Sequence, residues 1–270
     1  MKTVFPLDGC RAVITGASSG LGAEFARQLA PRAAALFLVA RRGPELEAVR
    51  RALPAGTAEV RLLVADLATE AGRDALTAAL DATAFRPNLL VNNAGLGDYG
   101  RFDEAPAARS RAVLELNVTA LTLLTHALLP RLSRPAGILQ VSSLGASLPV
   151  PELAVYAASK AYVSSFSEAL AVELAPRGVT VTCLCPGPTP TGFSGAARRP
   201  GGPDTDRRGT GPLRMPPEAV VAAGLAALAA GRPSVHPGRT VAFAAWLFRV
   251  LPRPILWALL RRRAARGGGA

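Results

Sequence analysis

Six short, almost wholly apolar runs recur along this chain: Ala12 to Thr15, Ala35 to Ala40, Val60 to Ala65, Leu89 to Asn92, Gly137 to Val141 and Val179 to Leu184. Between them lie segments with helical spacing of apolar residues, among them Leu21 to Leu29, Arg73 to Leu80, Ala107 to Leu132 and Ala154 to Leu174. A strand without polar alternation has no face to give to water, so both of its faces must be covered. Helices placed between successive strands supply that cover and return the chain to the same end of the sheet, which makes the pairing parallel. The expected fold class is α/β: a doubly wound parallel sheet in three layers, built as a single domain.

Composition narrows the partners. Half of the 270 residues are apolar, enough for one large core. A net charge of +12 and an isoelectric point near 11.1 would suit a nucleic-acid binder. The arginines are scattered, however, and aromatic residues are only 5% of the chain, so neither a recognition helix nor a stacking platform is visible. No nucleic-acid partner is expected. The three cysteines, Cys10, Cys183 and Cys185, are an odd number and form no disulfide framework, which points to a reduced, cytoplasmic setting. His126 and His236 are the only histidines and make no ligand spacing with the cysteines, so no metal is expected. The first strand begins almost at once, so no signal peptide is expected.

Where the first strand meets the first helix the chain reads Thr15-Gly16-Ala17-Ser18-Ser19-Gly20-Leu21-Gly22. Glycines at such a junction allow a tight turn and let backbone N–H groups approach a pyrophosphate at the positive end of the helix. The second strand ends in Ala40-Arg41-Arg42, where a domain binding NAD would place a carboxylate for the ribose hydroxyls. Two cations suit the extra phosphate of NADP(H) instead. After the third strand comes Ala65-Asp66-Leu67, in which Asp66 either accepts from an adenine amino group or caps the next helix.

Only two lysines occur against 29 arginines, and one of them closes Tyr156-Ala-Ala-Ser-Lys160. Lys160 lies one helical turn from Tyr156, so its ammonium shares a face with the phenol and favours the ionised form. The ordered set Gly16-Ala-Ser-Ser-Gly20-Leu21-Gly22, Asn92-Asn93-Ala94-Gly95, Asn117, Ser143, Tyr156-x-x-x-Lys160 and Pro186-Gly187 resembles the short-chain dehydrogenase/reductases over residues 8 to about 240.

That resemblance implies a Rossmann-type dinucleotide-binding catalytic domain over 1–240, with a substrate lid at about 188–215. It implies hydride transfer between NADP(H) and a carbonyl or secondary alcohol of a hydrophobic substrate: a ketone, an aldehyde or a 3-oxoacyl compound. Tyr156 would be the acid/base, Ser143 would hold the substrate oxygen, and Asn117 would hold a water linking Lys160 to solvent. Lys160 would also reach the nicotinamide ribose. Asn93, Ala94 and Gly95 would line the adenosine side, with Pro186, Gly187, Thr189 and Thr191 facing nicotinamide and pyrophosphate. Pairing through the two long helices would give a homodimer or homotetramer. The alternative is a sensor or scaffold that binds dinucleotide without turnover.

Two segments follow less readable rules. Gly192 to Met215 carries Arg198, Arg199, Arg207, Arg208 and Arg214, read either as a solvated lid or as a seat for a phosphate-bearing acyl carrier. Residues 241–270 are apolar and then basic, and Arg249, Pro252, Arg253 and Pro254 break any membrane span. Two short helices are expected there, packed over the cleft or a subunit seam, or resting peripherally on an anionic membrane through 241–263.

Overall fold

A computed structural model describes residues 4–54, 59–199, 211 and 213–267. In chain order the elements are β1 (Arg11–Thr15), α1 (Gly20–Leu29), β2 (Ala35–Ala40), α2 (Gly43–Arg51), β3 (Glu59–Val64), α3 (Glu70–Ala82) and β4 (Leu89–Asn92). There follow α4 (Ala107–Leu114), a π-helical segment (Glu115–Ala120), α5 (Leu121–Leu128), β5 (Ala136–Val141), α6 (Ala154–Leu174) and β6 (Val179–Leu184). The chain closes with α7 (Phe193–Ala197), α8 (Pro217–Ala229), β7 (Ser234–Val235), α9 (Arg239–Val250) and α10 (Arg253–Gly267).

The seven strands are all parallel and lie in the order β3-β2-β1-β4-β5-β6-β7. The order reverses between β1 and β4, and a parallel sheet opens a crevice beyond the carboxyl ends of its strands at such a point. Both Gly16 and Asn93 stand there. Two apolar layers sandwich the sheet. Phe25 and Leu29 of α1 and Val221 and Leu228 of α8 cover one face. Leu76 and Leu80 of α3 and Leu124 and Leu128 of α5 cover the other. Each such fully buried side chain contributes about 1.5–3 kcal/mol relative to exposure, which is what commits the strands to this register.

The expected strands and layers are present, with three differences. β3 is an edge strand, half-buried rather than covered on both faces, and Val64 is exposed. A seventh strand, β7, closes the opposite edge through Cys183 opposite Ser234. Ala107 to Leu132 is not one continuous α-helix, because the π-helical segment interrupts it around Asn117 and a short 3-10 turn (Leu129–Arg131) ends it.

Candidate active site

The glycine turn is built by steric necessity. A methyl group on Gly22 would fall 2.2 Å from the Gly16 carbonyl oxygen, and one on Gly16 would fall 2.8 Å from the Ala94 Cα. Gly16 also has φ +66°, a left-handed conformation that costs glycine least. The β4 end is welded to this turn. Asn93 donates its side-chain amide to the carbonyls of Thr15 (2.9 Å) and Gly16 (3.2 Å), while the Thr15 hydroxyl accepts from Asn93 N–H and Ala94 N–H at 3.0 Å each. The first turn of α1 has no acidic residue and no side-chain cap, so its backbone N–H groups and positive dipole end face the crevice.

Arg42 leans across the mouth of the turn and donates to the hydroxyls of Ser19 (2.8 Å) and Ser18 (3.2 Å). Arg41 instead approaches Asp66, at 3.8 Å. Asp66 accepts from the Ala68 N–H at 3.1 Å, but the cap of α3 is Thr69, whose hydroxyl accepts from Gly72 N–H. Asp66 therefore does not cap the helix that follows it. The side chain of Leu67 is buried in the core.

The second half of the site stands on β5, α6 and the π-helical segment. Ser143, just past β5, accepts from the Gly145 N–H at 3.1 Å and is hydrogen-bonded to the Tyr156 phenol. Burial pushes the phenol above its ordinary value, and the bond with Ser143 pulls it partly back. Lys160 places its Nζ 5.9 Å from the Tyr156 ring centre and donates to the Val141 carbonyl at 2.8 Å. Burial lowers this ammonium from 10.5 to about 8. The neighbouring Ser142 points the other way, donating to the Lys160 carbonyl at 2.7 Å.

Asn117 spends its whole side chain on position. Its Oδ1 accepts from Leu96 N–H at 2.8 Å, and its Nδ2 donates to the Leu96 carbonyl (2.9 Å) and the Ser159 hydroxyl (3.0 Å). The loop after β4 is thereby clamped to α6. Gly95 completes the connection, since a methyl group there would sit 3.3 Å from Asn117 Oδ1 and 3.4 Å from Lys160 Nζ. The glycine turn, the 93–96 loop and the Tyr156–Lys160 pair thus form one continuous wall.

On the far side of the crevice, Leu144 N–H donates to the Pro186 carbonyl at 2.7 Å, and Gly187 is confined by the Leu213 carbonyl and Val241. Of the two threonines, Thr191 packs against Gly20 of the turn, whereas Thr189 bonds back to Gly187. Phe193 of α7 rests on the Tyr156 ring at 5.5 Å between centres.

Three positioning groups escaped the sequence reading. Thr15 had a signal, being a polar residue that ends an apolar run. Phe193 and Asp98 had none. Asp98, with its side chain 4% exposed, accepts from Arg199 at 2.8 Å and from Arg109 at 2.9 Å, and so ties α7 and the start of the lid to the body. The Arg199 guanidinium holds the Asp98 carboxyl below its usual range against the opposing effect of burial. Arg199 is therefore not available to an acyl carrier. Arg207 and Arg208 lie outside the described residues.

A doubly wound sheet with a glycine turn at its reversal point and a phenol, hydroxyl and ammonium across the crevice defines a dinucleotide-binding oxidoreductase site. The short-chain dehydrogenase model matches residues 11–200. An "uncharacterized oxidoreductase" of Myxococcus xanthus strain DK1622 is 38% identical over 178 residues, spanning 65% of this chain and 70% of that one. A short-chain dehydrogenase from Sphingobium yanoikuyae in complex with NADPH superposes with TM-score 0.77 at 31% identity, covering 97% and 96% of the two chains. A short-chain dehydrogenase/reductase from Burkholderia phymatum in complex with NAD superposes with TM-score 0.80 at 29% identity, covering 90% and 94%. The chain belongs to the short-chain dehydrogenase family and is an oxidoreductase of that family.

Proposed function

We propose that this oxidoreductase uses NADP(H) and interconverts a hydrophobic ketone, aldehyde or 3-oxoacyl compound with its alcohol. Its solved relatives hold either nucleotide, so the preference rests on this chain's own residues. The observation that carries it is Arg42 bonded to Ser18 and Ser19. One guanidinium and two hydroxyls converge beside the glycine turn, and β2 is followed by Arg41 and Arg42 rather than by an acid, with Glu45 of α2 approaching Arg42 at 3.5 Å. The dinucleotide fits the chain: the confined glycines give the backbone close approach, and the first turn of α1 offers N–H groups without a competing acid.

When bound, the dinucleotide supplies or accepts the hydride. Tyr156 gives the proton to the substrate oxygen during reduction, and the raised phenol keeps it loaded at neutral pH. Ser143 steadies the same oxygen as charge gathers on it. Lys160 in its cationic form lowers the cost of the tyrosinate left behind. Because both amide protons of Asn117 are already donated, a proton relay past Lys160 would have to run over groups other than that amide. The small apolar cluster of Leu144, Leu213 and Val241 beside the Ser143 loop supports a hydrophobic substrate.

Exposed Leu114, Leu123, Tyr162 and Val172 on the helices flanking the sheet support pairing of two copies through that side. The test of the functional reading is initial-rate consumption of NADPH and NADH over ketones, aldehydes and 3-oxoacyl thioesters of graded length. A clear NADPH preference that rises with substrate apolarity is expected. Indifference to every carbonyl, with nucleotide still bound, would favour the sensor reading.

A further inference from the structure

The only two tryptophans of the chain, Trp246 and Trp257, stand on one surface at its C-terminal end, 57% and 53% exposed. They are not isolated. Phe243, Trp246 and Val250 share the outer side of α9 at helical spacing, while Val241 and Ala245 on its inner side are buried near Leu144 and Leu213. After Leu251 and Pro252 the chain bends by 115° into α10, which exposes Ile255 and Leu259 one turn apart and buries Leu256. The result is an elbow whose two helices both expose large apolar side chains, an arrangement that marks an interaction surface.

Charge decides what covers that face. Eight arginines and not one Asp or Glu follow Glu218 in the sequence. Arg249, Arg253, Arg261 and Arg262 border the elbow and are exposed, and none of them joins an ion pair among the described residues. A second copy meeting this face across a two-fold axis would set arginine against arginine, with no carboxylate in the segment to pair them. Anionic headgroups supply that charge, and half-exposed indoles favour the zone between headgroup and acyl chain. The bend, with Arg249 and Arg253 on either side of it, keeps the two helices from forming one straight span.

We propose that the α9–α10 elbow docks, apolar face down, on an anionic lipid bilayer. Since the inner side of α9 packs beside the loop that follows Ser143, docking brings the mouth of the crevice to the membrane surface. The proposal does not depend on the cofactor or the substrate assigned above, and its test reads no turnover.

The tryptophans report on this face alone. The full chain is mixed with vesicles of phosphatidylcholine plus phosphatidylglycerol, and separately with phosphatidylcholine alone, and intrinsic emission is recorded along with vesicle flotation. Anionic vesicles are expected to shift the emission to the blue, and lipids brominated on the acyl chain to quench it. Neutral vesicles should do neither. The double variant R249Q/R253Q, which leaves the crevice intact, should bind anionic vesicles roughly thirtyfold more weakly while keeping its nucleotide affinity. Emission unmoved by anionic vesicles at low salt would overturn the proposal. So would equal binding to neutral vesicles, or a concentration-dependent rise in mass that Trp246→Ala abolishes, which would make the face a subunit contact.

Discussion

The crevice between β1 and β4 and the C-terminal elbow differ in what holds each in place. In the crevice nearly every polar group is spoken for by backbone geometry: Asn93 and Thr15 bind the glycine turn, and Asn117 binds the loop after β4. At the elbow, apolar side chains face outward, and the exposed Arg249, Arg253, Arg261 and Arg262 join no ion pair among the described residues. A site defined by internal contacts tolerates few substitutions in its frame, whereas a surface defined by a partner tolerates them until the partner is present. Substitutions should therefore act in opposite ways in the two regions.

The largest effect is expected at Lys160→Met, which removes the cation beside the phenol. Turnover should fall by about 10²–10⁴. The same change should stabilise the fold, because a buried ammonium whose proton leaves at about 8 instead of 10.5 has been desolvated at a cost. Between those two values the unfolded chain binds more protons than the folded one, so the stability of the natural protein rises with pH across that window. The gain from methionine should be about 3 kcal/mol at neutral pH, less the lost bond to Val141, and should shrink toward 10.5. Denaturant melts at several pH values check the sign. A variant that is both inactive and less stable at pH 7 would mean that the lysine is held chiefly for packing.

Gly22→Ala comes next. Its methyl group would lie 2.2 Å from the Gly16 oxygen, so the turn has to open, and nucleotide affinity should drop at least about tenfold by equilibrium titration. Arg199→Ala should cost about 1–2 kcal/mol, because it leaves Asp98 buried with Arg109 alone. Asp98 ionises more readily in the fold than in the unfolded chain, so its contribution is present at neutral pH and is lost as pH falls through its lowered value. The difference between natural protein and variant should accordingly vanish in acid. Smallest in stability terms is Arg42→Ala, within about 0.5 kcal/mol for an exposed side chain. Its signature lies in the ratio of NADPH to NADH efficiency, which should fall about tenfold or more.

The same contrast explains what was legible in the sequence. β2, β4 and β6 have the bounds read from their apolar runs: β4 lies between Asn88 and Asn93, β2 stops at Arg41, and β6 begins after Gly178. The glycine turn was legible because only glycine avoids the clashes at Gly16 and Gly22. The π-helical segment was not, since one extra residue in a helical turn leaves the apolar spacing of Ala107 to Leu132 nearly unchanged. β7 is two residues long and has no run to read. The Asp98 clasp joins residues about a hundred positions apart and leaves no local pattern. Asn117 was legible as a site residue, but not the use of its whole side chain as a clamp.

The central claim is that Tyr156 donates the proton while other groups bind the nucleotide. Stopped-flow oxidation of NADPH by a hydrophobic ketone, run on the natural protein and on Tyr156→Phe alongside fluorescence titration of NADPH, separates the two. The account predicts that turnover falls by about 10³ or more, with nucleotide affinity changed less than about threefold. Turnover that survives the loss of the phenolic hydroxyl would contradict it.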